Sequence, residues 1–154
     1  MASGKVHALD CVIVGVGMGA TGFLVTRDPT SAACLVGGGF LGIIITPDLD
    51  VDAGCISYRV VDWFIGVPAG LVWRLIWLPY AKRLGHRSFW SHFPIVSTLI
   101  RLVYLGLIGW ALGLERILDI DLFSFLYYLA LATIALMTSD LLHYLRDRRP
   151  SDAQ

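Results

Sequence analysis

The side chains best suited to chemistry are four histidines, each close in sequence to a carboxylate or to another histidine. His7 precedes Asp10 by three residues, and His143 follows Asp140 by three and precedes Asp147 by four. Because residues three and four apart share one face of a helix, a helical conformation would group these side chains. The other members of the set are Asp48, Asp50, His86 and His92.

Imidazoles and carboxylates brought together are ligands for Zn²⁺, Mn²⁺ or Fe²⁺, and the nitrogen-rich set favours Zn²⁺. The three cysteines have no CxxC spacing, so we interpret them as small apolar residues rather than ligands. The number of donor side chains is sufficient for one to three ions. We therefore predict divalent-metal ligation by His7, Asp48, Asp50, His86, His92, His143 and Asp147.

This mixture of ligands suits the hydrolysis of esters or phosphoesters. Carboxylates offset the charge of the cations, while neutral imidazoles leave enough Lewis acidity to lower the pKa of a bound water toward ~7. In such a reaction Asp50 or Asp140 is a candidate general base, and Arg87 is a candidate contact for a substrate phosphate.

The composition indicates what kind of elements must position these residues. Of 154 residues, 56% are hydrophobic and 16% charged, whereas soluble domains have about 45–50% and about 25%. Twelve basic and twelve acidic side chains give zero net charge, and no basic run of five or more residues indicates nucleic-acid binding. We expect one domain, residues 1–154, that forms an all-α helical bundle embedded in membrane lipids.

Apolar runs with at most one charged residue predict where the helices cross the membrane. Four spans are expected at about residues 11–26, 29–47, 94–114 and 122–142. The stretch 61–80 contains three tryptophans, two prolines and an arginine, a mixture typical of a helix at the lipid–water boundary. This stretch is predicted to be interfacial or re-entrant.

The lysines and arginines predict the orientation. If the N-terminus is cytoplasmic, nine of them lie inside and only two, Arg27 and Arg116, outside. The expected setting is a bacterial-type cytoplasmic membrane with both termini in the cytoplasm. All the predicted metal ligands then lie at the cytoplasmic ends of spans, so four separate segments can converge at one membrane face.

Each histidine also has a purely structural interpretation. His86 and His92 stand near Lys82, Arg83 and Arg87, as in a basic loop that contacts anionic lipid headgroups. A histidine such as His143 can also cap a helix C-terminus. The metal hypothesis is favoured because all four histidines fall near carboxylates and at the same predicted face.

The glycines allow two interpretations. Residues 17–22 match GxGxxG after an apolar stretch, as in a dinucleotide-binding fold, but the rest of the chain lacks alternating strands and helices. Gly15 and Gly19, like Gly38 and Gly42, are spaced four apart on neighbouring predicted spans. Small residues at this spacing let helices approach closely in lipid, so we predict close packing there.

Four short motifs in order resemble a known family. They are Ser3-Gly4-Lys5-Val6-His7, Pro47-Asp48-Leu49-Asp50, Gly85-His86-Arg87-Ser88 with Ser91-His92, and His143-Tyr144-Leu145-Arg146-Asp147. Over residues 3–147 the chain resembles predicted metal-binding membrane proteins related to the YdjM-like inner-membrane hydrolases, with Ser88 and Ser91 where those proteins tend to have glycine and threonine. The resemblance extends distantly to zinc-dependent phospholipase C and P1-type nucleases, and it implies zinc ligation and phosphoester hydrolysis.

The leading expectation is therefore a membrane-embedded, metal-dependent hydrolase that acts on a phosphoester or lipid-like substrate at the cytoplasmic face. The alternative is a non-catalytic membrane protein that binds metal as a sensor, as a structural element or in transport. The uncharged centres of the predicted spans disfavour a conduction path. A third possibility is a membrane scaffold without metal, for which alanine at the histidines would change little.

Overall fold

The architecture comes from a computed structural model that describes residues 4–50, 55–84, 88–113 and 121–147. Within these ranges the chain is helical and has no strand, which confirms the all-α prediction and excludes the dinucleotide-binding interpretation. His86 and Arg87 lie outside the described residues. The helices are α1 Gly4–Thr26, α2 Pro29–Ile44, α3 Ile56–Phe64, α4 Val67–Arg83, α5 Phe89–His92, α6 Pro94–Ala111 and α7 Leu122–Asp147, and a single 3₁₀ turn occupies Pro47–Asp50.

Four helical segments are long and apolar enough to cross a membrane: α1, α2 together with the following 3₁₀ turn (Pro29–Asp50), α6 and α7. Their outward faces carry large apolar side chains such as Val16 and Val103, which are 54% and 61% exposed. The ends of the helices differ from the predicted spans. α1 begins at Gly4 rather than at residue 11, because the carboxylate of Asp10 is neutralised by Arg146 and does not interrupt the helix.

α2 ends at Ile44 rather than at residue 47, and the chain then enters the 3₁₀ turn that carries Asp48 and Asp50. α7 continues to Asp147, beyond residue 142, so that His143 and Asp147 lie on its last turns. As a result, every predicted metal ligand in the described ranges lies on an α-helix or on the 3₁₀ turn.

The stretch 61–80 forms parts of two helices rather than one. α3 ends at Phe64, and the break occurs at Gly66, whose φ of +104° is accessible to glycine but costly for other residues. Asp62 of α3 pairs with Arg74 of α4 across the resulting hairpin. Gly70 leaves room for this contact, because a Cβ there would overlap the Asp62 carboxylate.

The turn between α1 and α2 is fixed by a side-chain cap. Asp28 precedes the first residue of α2, Pro29, and its carboxylate accepts hydrogen bonds from the backbone of Thr30 and Ser31 at 3.0 and 2.9 Å. Hydrogen bonds from Ser31 hold the pKa of Asp28 below its usual value. α1 and α2 therefore form a helical hairpin.

Glycines bring the helix backbones together, as their spacing predicted. A Cβ at Gly39 would overlap the backbone of Gly15, which places α2 directly against α1. A Cβ at Gly38 would overlap the backbone of Ala132, which places the neighbouring face of α2 against α7. Gly42 faces both Cys11 of α1 and Ser139 of α7. α2 is therefore the central helix of the three.

We expect Gly38→Ala to destabilise the protein, while Gly37→Ala does not. The added methyl group at Gly38 meets backbone that cannot move aside, and overpacking of this kind costs about 1–3 kcal/mol. Gly37 has nothing within 4 Å of the new Cβ, so alanine there gains helix propensity of up to about 1 kcal/mol. Thermal unfolding in detergent measures both; equal midpoints for the two variants would show that α2 and α7 do not pack this closely.

Candidate metal centre

Four elements meet at one end of the bundle and carry the candidate ligands. They are the first turns of α1 with His7, the 3₁₀ turn with Asp48, the short helix α5 with His92, and the last turns of α7 with His143. The rings of His7 and His143 lie with their centroids 4.4 Å apart, and those of His92 and His143 lie 6.3 Å apart. The predicted convergence of distant segments is therefore confirmed for the described residues.

Three of these residues form a cluster with metal-ligand spacing. Asp48, His92 and His143 each offer one ligand atom, and the three atoms lie within 4.8 Å of one another. Asp48 Oδ1 is 3.6 Å from His92 Nε2 and 3.7 Å from His143 Nε2. The same carboxylate oxygen therefore faces both imidazoles.

These distances fit a bound cation better than direct hydrogen bonds. A separation of 3.6 Å is too long for a hydrogen bond between nitrogen and oxygen. Two ligands of a tetrahedral ion with bonds of about 2.0–2.1 Å are themselves about 3.3 Å apart. His143 is 3% exposed, and neither of its ring nitrogens has a hydrogen-bond partner among the described residues. Two enclosed imidazoles and a partly exposed carboxylate at this spacing could hold a divalent metal.

Two further aspartates flank the cluster in different ways. Asp147 Oδ2 lies 3.6 Å from His143 Nε2, on the nitrogen that also faces Asp48. Asp50 Oδ2 instead lies 3.5 Å from His92 Nδ1, the nitrogen that faces away from Asp48. Ser91 Oγ is 2.9 Å from the same Nδ1. A carboxylate or hydroxyl behind a histidine ligand fixes its tautomer and ring orientation, so Asp50 is placed to orient His92.

His7 lies beside the cluster rather than within it. Its Nε2 is 3.1 Å from the carbonyl oxygen of Gly42 and 3.6 Å from Cys11 Sγ. Its ring packs edge-on against His143. Nδ1 of His7 is buried and has no hydrogen-bond partner in the part of the chain that the structure describes. The structure thus brings His7 next to the site without adding it to the three-residue group.

Asp140 is held in a buried ion pair with Arg101. Both side chains are inaccessible to solvent, and Thr98 also donates a hydrogen bond to the Asp140 carboxylate. Arg101 donates in addition to the carbonyl oxygen of Ile45, at the end of α2. Because the Asp140 carboxylate is paired with an arginine and is inaccessible to solvent, this placement disfavours its candidate role as general base.

Sequence reasoning missed this network, although one feature indicated it. Arg101 is the only charged residue in the predicted third span, and an arginine within a span needs a partner. The network joins α6 to two other elements. Arg101 binds Ile45, two residues before the 3₁₀ turn that carries Asp48. It also binds Asp140 on α7, one helical turn before His143. Asp10 and Arg146 make a second tie, with oxygen–nitrogen distances of 2.7 Å, between α1 and α7.

Local sequence explains how the remaining ligands are held. Ser88 caps α5, accepting a hydrogen bond from the Ser91 backbone at 3.2 Å, so that His92 ends a single helical turn just before Pro94 opens α6. Leu49, between the two aspartates of the 3₁₀ turn, is fully buried in an apolar cluster with Trp77 and Tyr80 of α4. This anchor keeps the Asp48 and Asp50 side chains on the side of the turn that faces the histidines.

Comparisons with known proteins agree with a metal site. A family model described as an uncharacterized metal-binding protein (DUF2227) matches residues 2–132. The matched range contains His7, Asp48 and His92, and it ends before His143. No curated protein and no solved structure matches the chain. None of these comparisons links the chain to YdjM-like hydrolases or to phospholipase C, so that resemblance depends on the four sequence motifs.

Proposed function

The chain belongs to this family of metal-binding proteins, and from that premise we propose that Asp48, His92 and His143 hold a divalent cation. The observation that carries the proposal is the fully enclosed His143, whose ring nitrogens have no hydrogen-bond partner in the described ranges while Nε2 faces two carboxylates. Burying an unpaired polar group costs about 1–3 kcal/mol, and a cation would remove that cost.

Two imidazoles and one carboxylate are a ligand set of both catalytic zinc and non-haem iron(II) sites. We propose Zn²⁺, with Mn²⁺ and Fe²⁺ as alternatives. The three-residue cluster accounts for one ion. Any second or third ion would need the remaining predicted ligands: His7, Asp50, His86 and Asp147.

The proposed reaction is hydrolysis of a phosphoester carried by a lipid-like molecule. Asp48, His92 and His143 would hold the ion, which would polarise a phosphoryl oxygen and make a water molecule more acidic. Asp147, whose side chain is 20% exposed beside His143, is the flanking carboxylate best placed to exchange a proton with a substrate. Asp50 is enclosed behind His92, so we assign it to orientation rather than to proton transfer.

We further propose an integral membrane protein with the metal centre at the cytoplasmic face. The four long apolar helices and the nine-to-two distribution of basic residues support this orientation. Reporter domains fused after Gln154 and inserted at Glu115 test it. The first is expected to be cytoplasmic and the second to lie on the opposite side; a cytoplasmic reporter at Glu115 would contradict the orientation.

Elemental analysis of the detergent-purified protein tests metal binding directly. The wild type should contain stoichiometric zinc or manganese, and His92→Ala should lose it because one of three ligands is absent. Trp90→Ala is the matched control, since Trp90 is an exposed neighbour on the same helical turn and should leave the metal content unchanged. Negligible metal in the wild type after reconstitution would remove the basis of the proposal.

A structural metal site is the second candidate, because the three ligands come from three separate segments that a cation would hold together. The two functions differ in a measurable way. A catalytic centre should hydrolyse a chromogenic phosphoester in the metal-loaded protein and lose that activity in Asp147→Asn with metal retained. A structural centre should show no hydrolysis, and removing the metal with a chelator should lower the unfolding temperature.

A further inference from the structure

The hairpin formed by α3 and α4, residues 56–83, has a surface polarity that changes along its length. At its base, Arg59, Lys82 and Arg83 are exposed. At its tip, the three consecutive residues Trp63, Phe64 and Ile65 are 79%, 72% and 71% exposed. The large exposed residues between tip and base on α4 are also apolar: Val67, Leu71, Val72 and Leu75. The one charged side chain among them, Arg74, is 37% exposed and paired with Asp62.

The change from an apolar tip to a charged base distinguishes between two ways in which a helix contacts lipid. A helix that lies flat at the interface has an apolar side and a polar side along its whole length. Here one stripe of α4 begins with Val67 and Leu71 and ends with the exposed Lys82. Arg74 lies on the same stripe, in its ion pair with Asp62. A gradient along the axis is expected of a helix that enters hydrocarbon at one end and keeps its charged end at the headgroups.

The two charges between base and tip do not oppose insertion, because they neutralise each other. Asp62 and Arg74 form an ion pair across the hairpin, and no other charged residue occurs from residue 60 to residue 81. Gly70 lets the Asp62 carboxylate lie against the backbone of α4. Paired charges are the form in which ionisable residues occur in membrane segments.

The base of the hairpin is joined to the end of the bundle that holds the candidate metal centre. Ser57 Oγ donates to the carbonyl oxygen of Ile44 at 2.5 Å, and Trp73 Nε1 donates to Ser57 Oγ at 2.8 Å. From Ser57 to Trp63, six residues of helix span about 9 Å. Along α3, the tip therefore lies about this distance from the residue that is bonded to the end of α2, within the candidate membrane span Pro29–Asp50.

We propose that α3 and α4 form a re-entrant hairpin whose tip, Trp63 to Val67, lies in the hydrocarbon core of the lipid bilayer. The inference rests on the membrane embedding proposed above. Its partner is lipid hydrocarbon, which matches the uncharged tip, while the cationic base meets the headgroups. Because Trp77 and Tyr80 pack on Leu49, the inserted hairpin also supports the 3₁₀ turn that carries Asp48.

Quenching of tryptophan fluorescence by brominated lipids measures the depth of the tip. The full chain is reconstituted into phosphatidylcholine vesicles with bromine either at mid-chain or near the headgroup. The contribution of Trp63 is the difference between wild type and Trp63→Phe, and that of Trp90 is obtained likewise from Trp90→Phe. Trp63 should lose more intensity with mid-chain bromine, whereas Trp90, on α5 beside His92, should lose more with bromine near the headgroup.

A third variant separates this inference from membrane embedding itself. Val103→Trp adds a tryptophan at an exposed position ten residues into α6, where mid-chain bromine should quench it most strongly. If this added residue is quenched at mid-chain but Trp63 follows the Trp90 pattern, the hairpin lies flat and the re-entrant proposal is wrong. If neither is quenched, the chain is not embedded, and both proposals fail.

Discussion

Replacing His143 with alanine should lower metal affinity more than any change outside the three-residue cluster. His143 is fully enclosed, and its Nε2 faces both Asp48 and Asp147, so its loss would remove the donor on which two carboxylates converge. The expected loss exceeds the ~10–100-fold that outer partners of a metal site typically contribute. Competition with a chromogenic chelator, with the protein in detergent, measures the dissociation constant.

The Asp50→Asn variant should lose less metal affinity than His143→Ala. Asp50 lies behind His92 on the nitrogen that faces away from Asp48, so its loss should misorient one ligand without removing any. We expect a decrease in affinity within the ~10–100-fold range. Equal losses in Asp50→Asn and His143→Ala would show that Asp50 itself contacts the ion, as the sequence had also allowed.

A change in folding must be distinguished from a change in ligation. Circular dichroism and elution volume in detergent should be the same for the wild type, His143→Ala and Asp50→Asn in the absence of metal. Unchanged affinity in a folded His143→Ala protein would contradict the proposed centre, because it would leave only Asp48 and His92 of the cluster.

The convergence of the ligands could be predicted because it follows from topology alone. Apolar runs with at most one charge define four spans. In a chain with four spans, one membrane face receives the segment before the first span, the segment between the second and third, and the segment after the fourth. His7, Asp48, His92 and His143 occupy those segments. Sequence distance is therefore irrelevant to their proximity, and the structure brings them together as expected.

Which of the ligand candidates share one centre could not be predicted. The sequence gives no measure of how far each side chain reaches beyond its helix end. Asp48 and Asp50 are two residues apart, yet they face different nitrogens of His92 because the 3₁₀ turn points them in different directions. The break at Gly66 is similar, since an isolated glycine in an apolar run indicates close packing as often as a turn.

Removing one member of the ion pair between Arg101 and Asp140 should destabilise the chain more than breaking any exposed pair. Both side chains are fully buried, so Asp140→Asn leaves the Arg101 guanidinium without a counter-charge, and Arg101→Met leaves the carboxylate in the same situation. Each single change should cost about 3–5 kcal/mol, the usual loss when one member of a buried pair is removed. Thermal or denaturant unfolding in detergent measures the difference.

The double variant Arg101→Met, Asp140→Leu distinguishes charge pairing from packing. Replacing a whole buried pair by apolar residues of similar volume is often neutral, so the double variant should be more stable than either single variant. Arg59→Met, which removes an exposed arginine, should stay within about 0.5 kcal/mol of the wild type. Losses that simply add in the double variant would mean that the two residues act independently. In that case the hydrogen bond from Arg101 to Ile45 would be the interaction that holds α6 against the turn carrying Asp48. Of the two single variants, only Arg101→Met would then lower metal affinity.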